Sequence, residues 1–423
     1  MIVTRRTLLA GSAALLAGCG GAEDGRETVR FWAMGREGEV LDQLVPEFER
    51  TNPGIRVLIQ QIPWISAHEK LLTAFAGDAT PDLAQLGSSW VPELAALGAL
   101  EPLDALLSGS RAIPASDYFG GPMRANLIDG RTWAVPWYAD TRLLFYRRDL
   151  LRDAGFSAPP ADWTAWRRAM RAIKARGAPG DHAILLPLNE YEPLLALALQ
   201  QPEPLLRDGG RYGNFRSAGF ARASDFYLGL FGEGLAPRVT NTQISNVYDE
   251  FARGRFAFYI SGPWNIGEFK RRLPPERQDD WMTAPLPGPD GPGASIAGGA
   301  SLAIFARSER KQAAWRLVEF LSRPDVQLRF FELSGDLPAR RSVWRAPALA
   351  NDPYAAAFRA QLERTVPPPA VPEWERIGQQ LRIVGERAVA GQLSPAAFRA
   401  TMDADTDRIL ARRRAMLDRR ASR

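Results

Sequence analysis

The sequence predicts an α/β protein with mostly parallel sheets, and three observations carry that prediction. Apolar, β-branched stretches of strand length alternate with amphipathic stretches of helix length through the first hundred residues. Strands joined by helices pack as a parallel sheet covered on both faces. The chain has 423 residues, room for two to three domain-sized units. Its hydrophobic content of 46% and charged content of 24% suit a globular protein with a substantial core.

Taken in order, residues 28–34 read as a first strand, rich in β-branched and aromatic side chains. Residues 37–50 read as one helix with Val40, Leu44, Val45 and Phe48 on a shared face. Asn52, Pro53 and Gly54 stop it, and residues 55–59 form a second strand. Ser66 is placed to cap a helix that carries Leu71, Leu72 and Phe75 inward. Residues 82–86 make a third strand and residues 90–97 another helix. Strands and helices in this order require right-handed crossovers. Open sheets of this kind bind ligands beyond the carboxyl ends of their strands. Those ends carry Trp32 with Glu37 and Glu39, then Trp64, then Ser88, Ser89 and Trp90.

The stretch from Trp133 to Phe156 joins an aromatic run, broken by Pro136, to an apolar strand at residues 143–146. It sets Tyr138 and Asp140 next to each other at what reads as a ligand-facing edge. Asp149 is placed to cap a short helix that Gly155 ends. Residues 162–176 form a helix with a core stripe of Trp163, Trp166, Met170 and Ile173. Residues 189–192 are a polar aromatic loop without an evident use. Residues 247–253 read as a short helix and 255–260 as a strand, after which Gly262 and Pro263 hold Trp264 at the start of the next helix. Gly298 and Gly299 permit a close backbone approach or a hinge. An amphipathic helix at 312–321, a stiff connector at Pro367, Pro368 and Pro369, and helices from Trp374 onward complete the chain.

The first residues form a separate unit. Arg5 and Arg6 precede an apolar run about ten residues long, too short to span a membrane, and Leu16, Ala17 and Gly18 lead into Cys19. Residues 1–18 read as a signal peptide and residues 19–27 as a lipid-anchored linker, because Cys19 follows a sequence that looks like a bacterial lipobox. The paired arginines resemble a twin-arginine export signal, with general secretion as the alternative. Cys19 is the single cysteine, so an intrachain disulfide is excluded. The isoelectric point near 9.5 invites a nucleic-acid reading, but seven arginines stand from residue 408 on. Without them and the leader, the body of the chain is slightly acidic, and no nucleic-acid partner is expected.

Several chemistries lack their residues. His68 and His182 are the only histidines and stand far apart, which leaves no zinc pair and no ready triad. No Gly-x-Ser-x-Gly elbow or phosphate loop occurs. Asp403, Asp405 and Asp407 imitate a calcium loop, but Arg408 and Arg414 occupy the positions that need Gly and Glu. Neither a metal nor a cofactor is expected. Twelve tryptophans and many loop carboxylates remain. Aromatic faces cover the C–H face of a sugar, and carboxylates bond its hydroxyl rim.

At this point the chain resembles the substrate-binding lipoproteins of ABC sugar importers, the maltose-binding-protein-like family. The stretches VRFWAMGREGEVLDQLVPEFERTNPGIRV, TPDLAQLGSSWVPELAALGALEPLD, WAVPWYADTRLLFYRRDLLRDAGF, FARGRFAFYISGPWNIGEF, APLPG with GGASLAIF, and AAWRLVEFLS with GDLPAR carry the likeness. The resemblance implies a two-lobed periplasmic-binding-protein fold, each lobe a mostly parallel sheet flanked by helices. It implies an N-terminal lobe of residues 28–139 with 300–322, and a C-terminal lobe of residues 140–299 with 323–423. Crossings would fall near 138–142, 298–302 and 321–324. It also implies ligand contacts from Glu37, Glu39, Trp64, Ser88, Ser89, Tyr138, Asp140, Trp264, Gly298, Gly299 and Arg340. The expected function is capture of a neutral mono- or oligosaccharide by hinge closure and its delivery to ABC permease transmembrane subunits. A monomer anchored through Cys19 at the periplasmic or outer face of a membrane is implied. The alternatives are the same fold binding a glycerol phosphate diester or other non-sugar solute, and an exported carbohydrate-active enzyme using a pair such as Glu37 and Glu39.

Overall fold

The computed structural model describes residues 25–422. The expected signal peptide and Cys19 lie outside the described residues. Among those described, no helix is long and apolar enough to cross a membrane.

Nine strands build two sheets: β1 (Glu27–Met34), β2 (Ile55–Ile62), β3 (Leu83–Gly87), β4 (Val135–Asp140), β5 (Leu143–Arg147), β6 (Ile184–Leu185), β7 (Phe258–Ser261), β8 (Trp281–Ala284) and β9 (Gly298–Ile304). The first sheet runs β2-β1-β3-β9-β4. β1 pairs in parallel with β2 along its whole length and with β3 on its other side. Val29, Phe31 and Ala33 alternate into the core beneath the covering helices, as a period of two requires. β9 returns from late in the chain and runs antiparallel to β3 and β4, with a bulge at Ala300/Ser301.

The second sheet runs β8-β5-β7-β6. Here the expectation of a mostly parallel sheet needs correction at the level of pairing. β5 is antiparallel to both of its neighbours, and only β7 and β6 pair in parallel. β5 is the strand that arrives straight from the first lobe through Thr141 and Arg142, and it runs against the others. Its aromatic residue anchors the layer: Phe145 stacks on Phe269 at 5.2 Å and on Trp281 at 6.1 Å. A further core gathers Trp163, Phe226 and Trp166 behind the sheet.

The lobe boundary expected at 322/323 also shifts. Helix Pro324–Ser334 packs with the first lobe, where Phe330 stacks on Trp137 at 4.4 Å. The chain stays there: the Ala139 amide donates to Leu337 O, and Trp344 meets Phe119 edge-on at 5.9 Å. Return to the second lobe comes with helix Pro353–Leu362. Its Phe358 meets Phe145 at 6.1 Å, and its Gln361 accepts from the Leu286 amide. Apolar residues of the 324–345 stretch find their partners around Trp137 and Phe119, and that burial decides where the segment lies.

Three local expectations change for stated reasons. The single helix expected over 37–50 is two, Gly35–Val40 and Val45–Thr51, joined by a tight turn. Pro46 has no N–H to donate, so it fits only the first turn of a new helix. Ser66 lies inside helix Trp64–Ala76, which starts after Pro63, and its hydroxyl donates to Pro63 O. Asp149 does not cap its helix but takes a two-pronged bond from Arg147, at 2.8 and 2.6 Å. Asp162, by contrast, caps helix Trp163–Arg176 by accepting from the Ala165 amide.

Candidate functional site

The carboxyl ends of β1, β2 and β3 deliver Arg36 and Glu37, Trp64, and Ser88, Ser89 and Trp90 to one edge of the first sheet. Facing them from the second lobe are Tyr191, Glu192 and Leu195, with Trp264 and Trp374. Asp140 with Arg142 and Gly298 with Gly299, where the chain passes between lobes, close the floor together with Ser334 and Asp336 of the first lobe. Together they enclose a cleft of about 630 Å³. That is the size range of small-molecule sites.

Glu37 organises the first-lobe wall. One carboxylate oxygen accepts from the Tyr138 hydroxyl at 2.6 Å and from Gln85 Nε2 at 3.2 Å, and the other from Trp64 Nε1 at 3.4 Å. Gln85 is itself fixed by the Met34 amide. Burial, reinforced by the adjacent Glu37 carboxylate, holds the Tyr138 phenol well above its usual range, so it stays a donor. Trp64 continues into an aromatic wall, with its ring 5.4 Å from Trp90.

On the other side Trp264 lines the cleft, is 45% exposed, and carries the Arg142 guanidinium 4.6 Å over its ring. Gly262 makes room for that indole, because a Cβ there would run into the ring. Arg142 stands 3.6 Å from Asp140 and 3.7 Å from Glu192. Trp374 is buried at the cleft wall, and its indole N–H has no partner among the described residues.

The floor is acidic. Burial raises the Asp140 carboxyl, with Arg142 opposing and Glu192 and Glu37 adding to the rise. Asp336 is half-open to the cleft yet surrounded by protein. Burial, followed by repulsion from Glu37 and Asp140, pushes it up to about 7. Four carboxylates line the cleft against two arginines. Both cations are engaged, Arg36 with Leu333 O and Arg142 as described.

Of the contacts expected from the sequence, Glu37, Trp64, Ser88, Ser89, Tyr138, Asp140, Trp264, Gly298 and Gly299 meet at this cleft. Gly299 adopts φ +101° and its carbonyl accepts from both the amide and the hydroxyl of Ser88, which ties the crossing strand to the first lobe. Glu39 and Arg340 are not in the cleft. Glu39 is exposed on the far side of the short Gly35–Val40 helix, where it accepts from Gln61. Arg340, 6% exposed, is a structural clamp that donates to Asp117 and to the carbonyls of Ala112 and Ser322. Arg36, Arg142, Tyr191, Glu192, Asp336 and Trp374 were not singled out as contacts. The polar aromatic loop at 189–192 was the signal for two of them.

A two-lobed α/β body with a deep cleft at the crossing segments defines a ligand-binding protein of the periplasmic-binding class. The family model described as bacterial extracellular solute-binding protein matches residues 33–328. The sugar-binding protein MalE from the phytopathogen Xanthomonas citri is 54% identical, covering 92% of this chain and 99% of that one, with a TM-score of 0.90. The GacH receptor of Streptomyces glaucescens, solved unliganded and with acarbose, is 25% identical over 91% of this chain and 99% of that one, with a TM-score of 0.77. The diacetylchitobiose binding protein DasA of Streptomyces coelicolor is 25% identical over 87% of this chain and 88% of its own. The chain belongs to the bacterial extracellular solute-binding protein family, and it is a binding protein rather than an enzyme.

Proposed function

We propose that the cleft captures a neutral mono- or oligosaccharide and closes on it by hinge motion at the crossing segments. The observation that carries this reading is the pairing of indole faces with an acidic rim across one space. Trp64 and Trp90 stand on one lobe, Trp264 and Trp374 on the other, and Glu37, Asp140, Glu192 and Asp336 lie around them. Rings cover the apolar face of a pyranose, and carboxylates accept from its hydroxyls. Micromolar binding needs only about 8 kcal/mol in total. A few stacked rings at roughly 1 kcal/mol each beyond area burial, with several hydrogen bonds, reach that after ordering costs.

The acid excess disfavours a glycerol phosphate diester, since both cleft arginines are already engaged and Arg340 lies elsewhere. Relatives in the family that bind a sugar or acarbose support the same ligand class. The protein then hands its ligand to the transmembrane subunits of an ABC permease, working as a monomer held at the membrane through lipidated Cys19. A thermal-shift screen over neutral sugars and phosphorylated glycerols tests the ligand class. One class of neutral sugar should raise the melting temperature. A shift confined to phosphorylated ligands would overturn the reading.

A further inference from the structure

Helix Ala411–Ala421, on the second lobe, carries a charge that the cleft does not use. From residue 408 to residue 423 the sequence holds seven arginines and one acid, Asp418, against an excess of five positive charges for the whole chain. The basic excess is gathered at this one place, on a body that is otherwise slightly acidic. The helix sorts its arginines by face. Asp418 accepts from Arg211 of the second lobe, and Arg414 donates to Arg211 O at 3.0 Å with its guanidinium 4.7 Å over the Tyr212 ring. These contacts fix the helix to the lobe.

Arg412, Met416 and Arg419 stand four and three residues apart, a spacing that puts them in one stripe along the helix. All three are exposed. Neither arginine has a carboxylate partner among the described residues, and Arg419 Nε reaches only Ala415 O of its own helix, at 3.1 Å. Guanidinium groups in this state are suited to phosphate oxygens, which they bond in pairs. The thioether between them is an apolar group placed to enter a headgroup layer. A nucleic acid gains nothing from Met416, and the stripe offers no aromatic ring on which bases could stack.

We propose that the Arg412, Met416 and Arg419 face of this helix docks on an anionic phospholipid bilayer. The first strand starts at Glu27 on the first lobe, so an anchor at Cys19 and this helix hold different lobes to the same surface. The test sediments the chain from residue 19 on, with Cys19→Ser so that no lipid is attached. Its probes are vesicles of phosphatidylcholine alone and of phosphatidylcholine mixed with phosphatidylglycerol. The protein should bind the mixed vesicles, not the neutral ones, and salt should weaken the binding. Each arginine at such a surface strengthens binding about fivefold, so Arg412→Gln with Arg419→Gln should lower the partition coefficient roughly 25-fold. Melting temperature and sugar affinity should not move, because both side chains are exposed and stand outside the cleft. Arg56→Gln with Arg131→Gln removes the same charge from exposed positions on the first lobe and should leave the coefficient within about twofold. The proposal is overturned by absent binding to the mixed vesicles, by equal binding to neutral ones, or by an equal loss in the first-lobe variant. Tighter binding to duplex DNA than to the vesicles at the same salt also overturns it. None of these readouts passes through the cleft, so a failure of the sugar reading is seen separately.

Discussion

Replacing Arg340 with methionine should make the protein easier to unfold without weakening its grip on ligand. Methionine keeps an apolar stem of similar length and removes the guanidinium. The variant loses a 2.7 Å charge-assisted bond to Asp117 and the donors to Ala112 O and Ser322 O, at 2.9 and 2.7 Å. Breaking one side of a buried pair costs about 3–5 kcal/mol. Asp117 keeps the Ser342 amide and hydroxyl, which places the expected loss near the lower end, about 3 kcal/mol. Urea unfolding measures it as a lower midpoint with an unchanged slope.

The pH dependence gives a second readout of the same clamp. Burial tends to raise the Asp117 carboxyl, but bonds from Ser342 and Arg340 hold it below its ordinary 3.8 in the folded state. A carboxyl depressed on folding contributes its stability in full above the unfolded value and loses it as pH falls through the folded one. Without Arg340 the depression shrinks, so acid unfolding should begin at a higher pH. Wild-type stability combined with lost ligand binding would refute the clamp and return Arg340 to the binding site.

Further outcomes follow from the cleft geometry. Trp264→Ala should weaken sugar binding by about tenfold, from one lost stacking surface, and leave the melting temperature nearly unchanged because the indole is exposed; calorimetry and a melt separate the two. Tyr138→Phe removes the 2.6 Å donor to Glu37, leaves a buried carboxylate short of a partner, and should cost about 2 kcal/mol in urea unfolding. Gly299→Ala places a Cβ against the Tyr138 carbonyl at φ +101°, so the variant should melt below the wild type and bind less ligand per folded molecule. Asp336 titrates near 7 in the folded protein against an ordinary 3.8. Its protonated form is therefore favoured by folding, and the ligand-free protein should lose stability as pH rises from about 4 through about 7. Asp336→Asn should flatten that slope.

Much of the first lobe was legible because its strands and helices follow local rules. Val29, Phe31 and Ala33 alternate, and Asn52 to Gly54 punctuate. The loops carrying Glu37, Trp64, Ser88 and Trp264 could be placed because a sheet edge is where such loops gather. What stayed hidden depends on contacts far apart in sequence. Arg340 sits in a motif next to Gly335, yet its partner Asp117 is more than two hundred positions away. Helix Pro324–Ser334 has an apolar face that suits either lobe, and distant contacts assign it: the Phe330–Trp137 stack and the Arg36 bond to Leu333 O. Asp336 and Arg142 look like ordinary surface charges until the fold brings Glu37, Asp140 and Glu192 around them. Glu39 failed for a simpler reason: two residues along a helix turn about 200° from Glu37, so one of the two had to face away.

The central claim is that four indoles and four carboxylates close around one uncharged sugar. A titration of intrinsic tryptophan fluorescence with a series of neutral oligosaccharides tests it directly, since Trp64, Trp90, Trp264 and Trp374 all border the cleft. One member of the series should give a saturable change at micromolar concentration, with the sugar recovered intact. Flat emission with every neutral sugar, or saturation by a phosphate ester alone, would contradict it.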